Sequence, residues 1–146
     1  MDYSLKDCTI NDIDFIVSLK EIGLRWYVEK LYGWDYEKQK EIALNEFNDK
    51  SNTTKIITIN GNSAGVSILT EKEDYYEVWL IMVHPDYRGK GIASSVINEH
   101  INLAKSKQKR IIIKTFKDNP ALKLYKKLGF AQYKQSDTHI YLDINF

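Results

Sequence analysis

The chain holds a single cysteine, Cys8, and only two prolines, Pro85 and Pro120, in 146 residues. One thiol excludes an internal disulfide, and no Cys/His cluster has zinc-ligand spacing. Cys8 falls in a predicted first strand, where it reads as a small core residue rather than a nucleophile. No apolar run approaches the ~20 residues that a membrane span needs. The opening Met1-Asp2-Tyr3-Ser4-Leu5-Lys6-Asp7 lacks the basic and then apolar stretches of a secretion signal. Together these absences predict a soluble, cytoplasmic protein with no metal and no membrane partner. No repeat, low-complexity stretch or Pro/Gly/Ser linker interrupts the chain, so 1–146 reads as one domain.

What is present is a globular composition, 43% apolar and 28% charged, which excludes disorder. The net charge is only +1, but its sign is uneven along the chain. Residues 1–83 carry 9 Lys and Arg against 15 Asp and Glu, whereas residues 84–146 carry 12 against 5. A basic second half suits a polyanion, either a nucleic acid or a phosphorylated cofactor. The near-neutral total and the lack of a nucleic-acid motif argue against the first. The basic run Lys105, Lys107, Lys109, Arg110 is then a solvated helix end, where cations favour the negative dipole.

Hydrophobic periodicity sets the element order. Residues 3–8 predict a short strand, and residues 11–22 an amphipathic helix with Ile13, Ile16, Val17 and Leu19 on one stripe. Gly23 is expected to interrupt it. Residues 24–32 and 35–47 follow as two more helices, the last with Asp35 as N-cap. The period then changes. Residues 54–59 are β-branched and end in Asn60-Gly61, a strong hairpin signal, with 64–70 as the returning strand. Residues 75–83 form a further strand, residues 91–107 a helix and residues 110–116 a buried strand. A short helix follows at 120–128, with Pro120 near its first turn and Gly129 as its C′ residue. Residues 130–135 and 138–144 close as a hairpin. This order predicts a mixed α/β sheet flanked by helices. Its 76–116 segment is a right-handed β-α-β unit with parallel strands.

The chemically telling segment is Val83-His84-Pro85-Asp86-Tyr87-Arg88-Gly89-Lys90-Gly91-Ile92-Ala93. Gly89 and Gly91 allow positive φ and close backbone approach, so several amides can converge on one anion. The helix beginning there adds its free N–H groups and its positive dipole end. Arg88 and Lys90 supply charge, and the small Ala93 leaves room for a phosphate. A Walker loop is excluded because Lys90 is followed by Gly91, and a Rossmann fingerprint because residue 94 is Ser.

Arg88-x-x-Gly91-x-Ala93, set between a strand and a long helix, resembles the coenzyme loop of the GNAT superfamily of N-acetyltransferases. The downstream Asn119-Pro120-Ala121-Leu122-Lys123-Leu124-Tyr125-Lys126-Lys127-Leu128-Gly129-Phe130 is similar to that family's Asn…Ala…Leu-Tyr-x-x-x-Gly-Phe segment. The resemblance is strong over 54–146. It is weaker over the N-terminal third, where Trp26-Tyr27-Val28-Glu29 and Tyr32-Gly33-Trp34-Asp35 resemble a bacterial subgroup. One departure stands out: Asn119 lies six residues before Tyr125, where many members have seven, and Asp118 fills the seventh position.

The resemblance implies the GNAT fold, a mixed, mostly antiparallel twisted sheet splayed between the strands at 75–83 and 110–116. It implies acetyl-CoA as co-substrate and no metal. Backbone groups of Ile81, Met82 and Val83 would bind the pantetheine arm. Arg88, Gly89, Lys90, Gly91, Ile92 and Ala93 would hold the pyrophosphate, with Asn119 and Tyr125 as further contacts. Tyr125 would also be the general acid, since a phenol with a pKa of about 10 stays protonated at neutral pH. Glu77 would be the base, directly or through water, with His84 as an alternative. Period two places Glu77, Trp79, Ile81 and Val83 on one face.

The N-terminal third is then expected to shape the acceptor pocket from Trp26, Tyr27, Glu29, Tyr32 and Trp34. Aromatic faces and carboxylates suit an ammonium. The expected partner is an amine-bearing small molecule or peptide, and the expected assembly a monomer or homodimer. A non-catalytic acyl-CoA sensor of the same fold is the competing reading, and a purely structural domain would leave the loop unexplained.

Overall fold

The hairpin signal is met at its tip. Asn60 (φ 53°) and Gly61 (φ 80°) both hold left-handed conformations, the geometry that a two-residue turn between twisted strands requires. In the computed structural model, which describes residues 2–146, this turn joins β2 (Asn52–Ile59) to β3 (Asn62–Glu71). Before them come β1 (Ser4–Asp7), α1 (Ile13–Tyr32) and α2 (Tyr36–Asn48). After them come β4 (Tyr75–Val83), α3 (Ile92–Ser106), β5 (Arg110–Phe116), α4 (Leu122–Lys127), β6 (Ala131–Gln135) and β7 (His139–Ile144).

The seven strands form one sheet in the order β1-β2-β3-β4-β5-β7-β6. Every neighbouring pair is antiparallel except β4 and β5, which run parallel as the crossover through α3 demands. Each face of the sheet buries its own apolar set. On one side Ile13, Ile16, Val17 and Leu19 of α1 and Ala43 of α2 pack on Ile56, Val66, Ile68 and Met82. On the other, Ile97 and Ala104 of α3 and Tyr125 of α4 pack on Tyr76, Val78, Ile111, Ile113 and Leu142. β3 is buried from Ala64 through Thr70, which is why its sequence is nearly continuously apolar rather than alternating.

Two expectations need correction. Gly23 does not interrupt the first helix: α1 runs unbroken from Ile13 to Tyr32. A side chain at Gly23 would collide with the Met82 Cε methyl, so the glycine is there for close packing on β4. Cys8 lies just beyond β1, its N–H donating to the Thr54 carbonyl at 3.2 Å. Burial pushes its thiol up to about 11, which disfavours the nucleophilic thiolate at neutral pH.

Candidate active site

The site begins with a defect in β4. Ile68 pairs with Leu80, but the next residue, Leu69, pairs with Val78, so Trp79 is an extra residue bulged out of the ladder. Beyond it β4 leaves β5. The parallel register covers only Tyr75–Val78 against Arg110–Ile113, while the ends of the two strands diverge. The freed edge of β4 faces the gap. The Val83 carbonyl accepts from Arg88 Nε at 3.0 Å rather than from the sheet, whereas His84 N–H donates to Ala64 in β3 at 2.7 Å. By the two-residue repeat of a strand, the N–H groups of Ile81 and Val83 therefore point into the gap.

The bulge also corrects the face assignment of β4. Tyr76 and Val78 pack on the α3/α4 side, and after the extra residue it is Ile81 and Val83 that do so. Leu80 and Met82 pack with α1 and α2. Glu77 and Trp79 therefore lie opposite Ile81 and Val83 rather than beside them, because the inserted residue reverses the alternation.

At the end of β4, a turn at Pro85–Tyr87 leads to the glycine loop. His84 Nδ1 accepts the Asp86 N–H at 3.1 Å and so holds this turn. Gly89 (φ 76°) and Gly91 (φ 78°) are left-handed, and Gly91 is the N-cap of α3. No side chain caps this helix and its first turn has no acidic residue. Among the described residues nothing accepts from the amides of residues 89–94. Six successive unsatisfied N–H groups at a helix start form a concave donor set for an anion. Val83, Arg88, Gly89, Gly91, Ile92 and Ala93 line a cavity there.

A groove continues from this loop along the freed edge of β4. Val83, Arg88, Ala93, Met82 and Ile81 form one wall, and Pro120, Ala121 and Tyr125 the other. Gly23, Leu24 and Tyr27 of α1 contribute the third side. Tyr125 is only 6% exposed, and burial pushes its phenol up to about 12. Among the described residues its hydroxyl has no side-chain partner, and it borders both this groove and the gap between β4 and β5. Asn119 lies beside it with both ends of its amide in use. Nδ2 donates to Thr115 Oγ1 at 2.8 Å, and Oδ1 accepts the Ala121 N–H at 2.9 Å. Its side chain thus ties the β5–α4 turn together.

The gap opens on the α1 face, where Trp79, Phe116, Lys114 and His139 line it. Tyr27 roofs one end, stacked on Phe116 at 4.8 Å and 3° and donating its hydroxyl to the Asp118 carbonyl at 3.2 Å. Trp26 joins Tyr27 in an adjoining cavity with Lys30 and Asp137. The remaining acceptor-pocket candidates are not gathered there. Glu29 pairs with Arg25 at 3.1 Å, Arg25 also covers the Trp34 ring at 5.8 Å, and Tyr32 is 72% exposed.

Glu77 lies in a different cavity, with Glu46, Asp49, Asn52 and Lys72, separated from the gap by the Trp79 indole that borders both. Burial raises its carboxyl above the ordinary glutamate value, opposed by Lys114 and Lys72. His139 entered no reading of the sequence. It stands opposite Phe116 only because β7 pairs with β5, and residues more than twenty apart carry no local signal of that.

The chain resembles proteins of known class. The acetyltransferase (GNAT) family matches residues 19–130, well over half of the chain. An uncharacterized N-acetyltransferase of Methanocaldococcus jannaschii is 28% identical over 89% of this chain, which spans only 61% of that relative's length. Among solved structures, the paiA N-acetyltransferase of Thermoplasma acidophilum in complex with coenzyme A superposes with a TM-score of 0.82 at 18% identity, covering both chains fully. The ribosomal-protein-S18-alanine N-acetyltransferase of Escherichia coli gives 0.76 at 17% identity, over 99% of this chain and 94% of that one. The splayed β4, the glycine loop and the family match agree, and the chain belongs to the acetyltransferase (GNAT) family.

Proposed function

We propose that the protein transfers an acetyl group from acetyl-CoA to a primary amine of a small molecule or peptide, by direct attack while both are bound. The observation that carries this reading is the continuity of the donor-lined loop at 89–94 with the freed edge of β4 and with Tyr125.

The residues present fit coenzyme A. A run of unsatisfied amides with Lys90 alongside suits the pyrophosphate, and Arg88 fixes the strand end against the loop. The N–H groups of Ile81 and Val83 suit the pantetheine arm, and Ala121 with Tyr125 closes the opposite wall. When bound, acetyl-CoA would supply an activated thioester carbonyl.

The chain must then manage the protons of both the attacking nitrogen and the departing sulfur. An alkylammonium has a pKa of about 10.4, so few acceptors are neutral at pH 7 and a proton must leave the nitrogen. That first proton leaves the ammonium toward the α1 face, where Glu77 takes it up through water around the Trp79 indole before the neutral amine attacks. Tyr125 Oη, held protonated by burial, gives its proton to the departing sulfur.

Calorimetry tests the donor site. Acetyl-CoA binds and dephosphorylated pantetheine binds much more weakly; equal affinities would remove the loop from the site. Thiol release in the presence of primary amines tests turnover. Tight binding with no thiol released from any amine would make the protein an acyl-CoA-binding module instead.

A further inference from the structure

The acetyltransferase reading leaves the proton acceptor one cavity away from the reacting atoms, and the gap between β4 and β5 contains a group with the right chemistry. We propose that His139 is a catalytic base, whose Nε2 takes the proton from the attacking amine inside the gap that Tyr125 enters from the other face. The inference rests on the acetyltransferase reading and adds a residue to it.

Three observations place the imidazole. It lines the gap together with Trp79, Tyr125, Ile81 and Met82, and the last three also line the groove. Its ring packs on Phe116 at 4.4 Å, and Phe116 is clamped from above by Tyr27, so its plane is held by a stack of three rings. Its Nδ1 lies 2.7 Å from Thr138 Oγ1, and among the described residues nothing bonds Nε2. With Nδ1–H donating to Thr138, Nε2 keeps its lone pair for the amine.

The surroundings favour the neutral ring. Burial and Lys114 on β5 both lower its proton affinity below the ordinary imidazole value. The other titratable groups around it are Tyr125 on α4, Glu77 beyond the Trp79 indole, and Tyr27, Lys30, Lys117, Asp118 and Asp137 in the adjoining cavity. A neutral imidazole is a base across the physiological range, whereas protonated it would repel an ammonium.

The step balances. The N–C bond forms and the thioester C–S bond breaks. An ammonium acceptor first loses one proton through water toward Glu77, and the neutral amine then attacks. The second nitrogen proton goes to His139 Nε2, and the sulfur takes the proton of Tyr125 Oη. Solvent returns the proton from His139 to Tyr125.

The first test needs no acceptor. Nitrogen NMR of the His139 ring is expected to show Nδ1 protonated and Nε2 free near pH 7; an Nε2–H tautomer would overturn the proposal. The second follows thiol release from acetyl-CoA with spermidine and with a lysine-bearing peptide across pH. Activity should rise with pH through an inflection below about 6.5. His139→Gln should lower kcat/KM by roughly 10²–10⁴ and abolish that inflection, with acetyl-CoA affinity unchanged.

Thr138→Val, which keeps the ring but removes its partner, should shift the inflection, and it serves where the Gln substitution unfolds the hairpin. An active wild type whose inflection survives His139→Gln but vanishes in Glu77→Gln would give the role to Glu77. A wild type that binds acetyl-CoA but releases no thiol would overturn the acetyltransferase reading itself, and His139's role with it.

Discussion

The indole N–H of Trp79 donates to Glu46 Oε2 while the buried ammonium of Lys20 sits on Oε1 of the same carboxylate. One residue of α2 thus ties α1 to the bulge in β4. The bulged side chain is thereby held between the gap and the Glu77 cavity rather than left to swing across them.

Because the side chains of Lys20 and Glu46 are only 6% and 13% exposed, Glu46→Ala should strand a buried cation. The expected loss is about 3–5 kcal/mol in urea unfolding. The double variant Lys20→Met/Glu46→Gln should recover most of it, since no charge then lacks a partner. A Glu46→Ala melt at wild-type stability would show the pair to be solvated.

Gly23 and Gly65 both face Met82, with different consequences. A Cβ at Gly65 would run into the Met82 carbonyl and stand 3.3 Å from the Val83 Cα, and backbone cannot yield. Gly65→Ala should therefore cost of order 1–3 kcal/mol. A Cβ at Gly23 would meet only the flexible tip of Met82, and alanine improves a helix interior by about 1 kcal/mol. Gly23→Ala should leave the melting temperature nearly unchanged but raise KM, because the displaced Met82 tip lines the groove. Equal melting temperatures for the two variants would contradict this contrast.

Gly91→Val places a β-branched residue at φ 78° in the N-cap of α3. A left-handed non-glycine residue costs roughly 1–2 kcal/mol, and the loop should relax away from its donor geometry. Acetyl-CoA affinity by calorimetry should fall at least about tenfold, more than 1.4 kcal/mol. Undiminished affinity would mean that the loop does not hold the coenzyme.

Tyr125→Phe keeps the packing against Phe130 and removes only the hydroxyl. Turnover should drop by roughly 10²–10⁴ with little change in coenzyme affinity. Since the phenol is pushed up to about 12, the wild type should show no loss of activity from this group between pH 7 and pH 10. An unchanged rate in the Phe variant would exclude Tyr125 as the acid.

Glu77 has the opposite linkage from a paired carboxylate. Its raised value means that the folded state favours the protonated form, so it contributes stability at low pH that is lost as pH rises through the folded value. Glu77→Gln should match or exceed the wild-type melting temperature at pH 7, and the difference should vanish near pH 3. A destabilised Gln variant at pH 7 would point to a partner for the carboxylate.

Much of this was local and hence legible in the chain. Asn60-Gly61 set the β2–β3 turn, because few residue pairs accept two consecutive left-handed conformations. Gly89 and Gly91 between a strand and an apolar-striped helix marked the donor-lined loop, since such a nest is built from consecutive backbone groups. The parallel pairing of β4 and β5 followed from chain connectivity alone. The family resemblance of the loop and the Tyr125 segment drew on the same contiguous stretches.

What the chain could not disclose depended on contacts between distant segments. An extra residue in β4 reveals itself only against the register of β3, so Trp79's bulge and the reversed face of Glu77 were invisible in a period-two reading. Gly23 looked like a helix break because propensity counts its lost entropy and not the Met82 side chain that fills its place. His139 joined the gap by pairing with Phe116 across the sheet, a partner that no spacing names. Backbone chemistry along a few consecutive residues was written in the sequence; which side chains met across the splayed sheet was decided by tertiary packing.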